Sequence, residues 1–112
     1  MEPVLPDYSD CCVSKLVPAL LGVSDIPSCF SEDIFLAKSI VLLVLDGLGW
    51  EQFRDNKKLF PALSEFSGDL ITTVAPSTTA TALTSITTGV PPGEHGIVGY
   101  RISIQGGILN SL

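Results

Sequence analysis

The apolar positions of this chain follow two rhythms. Cys12, Val13, Leu16, Val17, Leu20 and Leu21 recur at the three-and-four spacing of one helix face. Ser9 or Asp10 is placed to cap that helix, Gly22 to end it, and Pro18 inside the pattern predicts a kink. Residues 23–38 form a mixed connector, with a helical turn suggested by Ser31, Glu32 and Asp33. At residues 39–45 the rhythm changes. Ser-Ile-Val-Leu-Leu-Val-Leu has no alternation, is partly β-branched and stops at Asp46-Gly47. That predicts a strand buried on both faces, as in parallel α/β sheets.

Further along, residues 50–56 and 61–66 read as short helices, the second with Pro61 in its first turn and Gly68 beyond its end. Residues 70–74 predict a second strand, broken by Ala75, Pro76 and Ser77. Residues 78–88 read as a helix closed by Gly89, although threonine is a mediocre helix former. Val90, Pro91, Pro92 and Gly93 read as a turn. Val98, Tyr100, Ile102 and Ile104 alternate with smaller or polar residues, which predicts a half-exposed strand ended by Gly106-Gly107. The order is an α/β pattern. It divides into a helical lead-in over 1–38 and, over 39–112, a partial parallel sheet with flanking helices. Three strands make a thin sheet, and a new apolar stretch begins at Ile108-Leu109. The expectation is therefore the N-terminal part of a larger α/β domain.

The 112 residues suffice for one domain. A hydrophobic content of 46% against 16% charged residues is that of a folding chain, not a disordered one. The net charge of −6 disfavours nucleic acid polymers and anionic membranes as partners, since both would repel it. Cys11, Cys12 and Cys29 are odd in number and form no Cys-x-x-Cys pair, so they read as thiols of a reducing compartment. The start of the chain lacks the positive region of a secretory signal. The longest apolar run is far short of the ~18–20 residues that span a bilayer. The expected location is the cytoplasm; the sequence does not indicate an oligomeric state.

Two constellations carry candidate chemistry. Asp46 would close a buried strand, where open α/β sheets place their ligands, and a carboxylate there suits a divalent cation. Asp-Gly is also ordinary turn chemistry, so a turn or a helix cap is the competing reading. Pro76-Ser77-Thr78-Thr79-Ala80-Thr81 leads into a helix, whose unpaired N–H groups and dipole favour a phosphate. A threonine there is a possible nucleophile; plain N-capping is the alternative.

Taken together, Val-Leu-Leu-Val-Leu-Asp-Gly-Leu-Gly, Pro-Ser-Thr-Thr-Ala-Thr and Thr-Gly-Val-Pro-Pro-Gly-Glu-His-Gly-Ile-Val-Gly over 88–99 resemble the type I phosphodiesterase/nucleotide pyrophosphatase family of the alkaline phosphatase superfamily. The resemblance covers roughly residues 40–110 and implies the N-terminal part of an alkaline-phosphatase-like domain. It implies hydrolysis of small-molecule phosphate esters with two divalent ions, usually zinc, through a phosphothreonine. By the resemblance, Asp46 matches the first metal-binding aspartate and Thr79 the nucleophile, which also touches metal. His95 falls in what is a structural loop in the family.

Ala82 departs from the pattern, because nucleotide pyrophosphatases of the family often carry asparagine three residues after the nucleophile. The family's remaining Asp and His ligands are not in this chain, which has one His. By itself it is expected to be inactive. The alternative is an inactive fragment or an anion-binding relative without turnover. A haloacid-dehalogenase-type phosphatase would need a second acid where Leu48 stands, and there is no Gly-x-x-x-x-Gly-Lys phosphate loop. The serine motif of cofactor-independent phosphoglycerate mutase is not found in place of the threonine-rich helix.

Overall fold

The computed structural model describes residues 3–111. The chain divides into two compact units, Met1–Ser28 with Ile71–Leu112, and Cys29–Leu70.

In the first unit, helix α1 (Val13–Leu20) forms on the apolar periodicity at 12–21. Its N-cap is Cys12, not Ser9 or Asp10, and no side chain caps it. The first helical N–H instead donates to the backbone: Val13 N–H meets the Thr72 carbonyl at 2.9 Å. Asp10 is engaged elsewhere, accepting from the Ser28 N–H at 2.8 Å. Gly22 ends the helix as expected, in left-handed backbone at φ 69°. The Gly22 and Val23 N–H groups return to the Ala19 and Pro18 carbonyls, both at 3.0 Å, which satisfies two orphan acceptors.

Helix α1 packs on α3 (Thr79–Thr88), which Gly89 closes at φ 77°. Cys12, Leu16, Ala19, Val74, Ala80 and Ile86 are buried apolar side chains of this unit. The threonines of α3 do not break it, because their hydroxyls turn back on the helix. Thr84, Thr87 and Thr88 donate to the carbonyls of Ala80, Leu83 and Thr84 at 2.7–2.9 Å. Within residues 90–93, expected as a turn, Pro92 and Gly93 instead open a short helix, α4 (Pro92–His95), with proline at its first position. The alternating segment gives β1 (Arg101–Ile104), which pairs antiparallel with β2 (Gly107–Asn110). Gln105 and Gly106 make the two-residue turn, both at positive φ, as the right-handed twist of a hairpin requires. The stretch at 108–109 is thus the hairpin's second arm.

The unit Cys29–Leu70 holds α2 (Trp50–Asp55) and three 3₁₀ turns, Glu32–Leu36, Lys57–Leu59 and Leu63–Glu65. The helix expected over 61–66 is thus a single turn. Phe53 is the centre of a small aromatic group, with ring centroids 6.0 Å from Trp50 and 6.3 Å from Phe60, and Lys57 Nζ over its face. No described residue of this unit is buried.

The expected parallel sheet is not present among the described residues. Residues 39–45 carry no strand, and Val41 and Leu43 are 90% and 71% exposed. A strand exists only by pairing, and no segment of this unit offers it a ladder. Residues 70–74 reduce to one parallel bridge, Cys12 with Thr72. The only sheet among the described residues is the antiparallel hairpin. Among them, no helix is long and apolar enough to cross a membrane.

Candidate functional site

Thr79 is the first residue of α3, and its position is built by the segment before it. Thr72 is stitched to residues 7–13 through its hydroxyl and its N–H as well as the carbonyl that caps α1. Its hydroxyl accepts the Asp7 N–H at 2.8 Å and donates to the Cys11 carbonyl at 3.0 Å, while its own N–H donates to that carbonyl at 2.9 Å. Val74 is buried, and the Ala75 N–H donates to the Tyr8 hydroxyl at 3.0 Å. The Ala75–Pro76 bond is cis. The chain reaches Thr78, the extended N-cap, whose hydroxyl lies 2.8 Å from that of the fully buried Thr81. Thr79 follows, half-buried, in the turn whose N–H groups have no partner within the helix.

Asp46 belongs to the other unit. It sits in a turn, not at a strand end. The Leu48 N–H donates to the Leu45 carbonyl at 3.3 Å, and Gly47 takes a φ of 78°, left-handed backbone that glycine adopts without strain. Asp46 is exposed. A carboxylate and a hydroxyl are oxygen donors suited to a divalent cation, but a coordination shell needs more donors than these two. Among the described residues, no group of three or more His, Cys, Asp or Glu gathers to hold a metal.

His95 ends α4 with both ring nitrogens engaged. Nε2 lies 2.8 Å from the Ser85 hydroxyl, and Nδ1 accepts the Ile97 N–H at 3.0 Å. Two acids stand out electrostatically, and neither is a candidate ligand. The Ser28 hydroxyl, then the Ser28 N–H, hold the Asp10 carboxyl below the usual range. The Ser9 hydroxyl, then the Cys11 N–H, do the same for Asp7.

Tyr8, Thr72 and Ser85 shape this region without having been legible as candidates. Thr72 alone left a trace in the sequence, as a polar residue inside the Leu-Ile-Thr-Thr-Val stretch.

The sequence model of the type I phosphodiesterase / nucleotide pyrophosphatase family matches residues 40–106, more than half of the chain and inclusive of Asp46, Thr79 and His95. No curated protein and no solved structure gives a significant match.

Proposed function

The chain belongs to the type I phosphodiesterase / nucleotide pyrophosphatase family, and from that premise we propose that it is the N-terminal part of an alkaline-phosphatase-like catalytic domain in a longer parent chain. The parent hydrolyses phosphodiesters, nucleotide pyrophosphates or monoesters, with Thr79 as nucleophile and Asp46 as a metal ligand. The observation that carries the reading is the family match, which spans both residues. The position of Thr79 in the first turn of a ten-residue helix supports it. So do the exposed apolar side chains of residues 40–45, which a larger sheet would cover.

Thr79 Oγ1 forms the new bond to phosphorus as the bond to the leaving oxygen breaks. The threonine proton passes to solvent and the departing oxygen takes one up. Water then cleaves the phosphothreonine, restoring the hydroxyl and releasing phosphate or a phosphomonoester. The N–H groups at the start of α3 face the charge on the transferring group. Two divalent ions, zinc in the family, supply hydroxyl activation and charge neutralisation when bound. Asp46 holds one of them, and the parent chain supplies the donors missing here. The substrate is a small phosphate ester in a reducing compartment, the cytoplasm.

The test is Thr79→Ala in the parent protein with zinc, assayed on bis(p-nitrophenyl) phosphate. Turnover is expected to vanish with zinc stoichiometry unchanged. Retained turnover would remove Thr79 from the nucleophile's place.

A further inference from the structure

Helix α3 is held near its far end by one directed contact. Ser85 is fully buried on it, with Oγ 2.8 Å from His95 Nε2. His95 Nδ1 accepts the Ile97 N–H, so that nitrogen bears no proton. The proton is on Nε2, and a neutral imidazole donates to Ser85. Neither nitrogen is left for a metal or a substrate, and the buried Ser85 hydroxyl is not open to one.

The buried face of α3 is Ala80, Thr81, Ser85 and Ile86. Three of these are small, and apolar contact is not directional. Such a face resists rotation about the helix axis poorly, whereas a hydrogen bond of fixed direction resists it well. Six residues separate Ser85 from Thr79, about 9 Å along the axis and roughly 120° around it. Ser85 is therefore on the buried face while the half-buried Thr79 lies roughly 120° round from it, on the same rigid rod.

We infer that the His95–Ser85 hydrogen bond is a positioning contact, which sets the rotation of α3 and with it the direction of the Thr79 hydroxyl. This rests on the reading of Thr79 as nucleophile. A misplacement of ~1 Å at a reacting atom costs up to about 100-fold in rate.

Two substitutions separate the two nitrogens of His95. His95→Gln places an amide N–H where Nε2 was, keeping the donor to Ser85. His95→Asn places an oxygen where Nδ1 was, keeping only the acceptor for Ile97. In the zinc-loaded parent protein hydrolysing bis(p-nitrophenyl) phosphate, H95N and Ser85→Ala are expected to lower kcat roughly 10- to 100-fold at unchanged KM. H95Q is expected to restore most of it. Wild-type kcat in H95N, or H95Q as slow as H95N, overturns the inference. Should S85A not fold, Ser85→Cys, similar in size and a weaker acceptor, replaces it with the same expected direction. The methyl resonance of Thr79 gives a readout without turnover. It is expected to shift in S85A or its cysteine replacement, and an unmoved resonance overturns the inference. A wild-type protein that hydrolyses nothing would instead defeat the proposed function, and the Thr79 resonance would still decide whether Ser85 is coupled to it.

Discussion

Gly89 lies so close to Pro18 that a β-carbon added to it would stand 2.3 Å from the Pro18 Cγ. The closing glycine of α3 thus meets the proline inside α1, and the packing of these two helices depends on a missing side chain. Gly89→Ala suffers twice. Left-handed backbone costs a non-glycine residue about 1–2 kcal/mol, and overpacking against a rigid ring adds about 1–3 kcal/mol. Gly96, at φ 75° with nothing within 4 Å, incurs only the first. Urea unfolding should therefore rank Gly89→Ala below Gly96→Ala in stability. Pro18→Ala should recover part of the loss in the Gly89→Ala background and none in the Gly96→Ala background.

Thr72 holds four hydrogen bonds to residues 7–13, two of them through its hydroxyl. Thr72→Val keeps the shape and removes the oxygen, which leaves the Asp7 N–H without its acceptor. A loss of about 1–3 kcal/mol is expected. It should appear in the unfolding midpoint and as faster amide exchange at Asp7. An unchanged midpoint would mean that solvent replaces the hydroxyl at no cost.

Part of the acid sensitivity should trace to Asp10, as part should to Asp7. The folded pKa of Asp10 lies below the ordinary value because Ser28 donates to the carboxylate, from its hydroxyl and its N–H. A depressed carboxyl stabilises the fold fully above its unfolded pKa, and the contribution is lost as pH falls through the folded one. The loss therefore falls in the acid range below about pH 4. Asp10→Asn should flatten the dependence of the thermal midpoint on pH there, with little change near neutrality.

Two further variants separate the roles proposed at the site. Asp46→Asn should weaken zinc binding by more than about 10-fold, since even outer-shell changes cost that much. Thr78→Ala should lose about 1 kcal/mol of stability, because it removes the hydroxyl partner of the buried Thr81, and keep turnover within a few-fold of wild type. If Thr78→Ala were dead and Thr79→Ala alive, the nucleophile would be the neighbouring residue.

Helices α1 and α3 were legible because their signals are local: apolar spacing in one, and a glycine closing each. The cap of α1 was not, because its acceptor is the Thr72 carbonyl, some sixty residues away. Asp10, the natural cap by composition, is instead drawn off by Ser28. Residues 39–45 have the composition of a buried strand, but pairing belongs to a neighbour and cannot be read from one segment. The hairpin was half legible. Alternation marked β1, whereas Gly-Ile-Leu-Asn has too little pattern to mark its partner. At the site, the placement of Thr79 at a helix start followed from the Pro-Ser-Thr break. Ser85 carried no signal, because its partner His95 is met only when α4 folds back on α3.

The uncovered run at 40–45 bears on how this chain behaves in a tube. Six consecutive uncharged, proline-free, partly β-branched residues form the kind of window that stacks into cross-β fibrils. Thioflavin fluorescence should rise with concentration and time in the 112-residue chain, and Leu43→Lys, which places a charge mid-window, should suppress it.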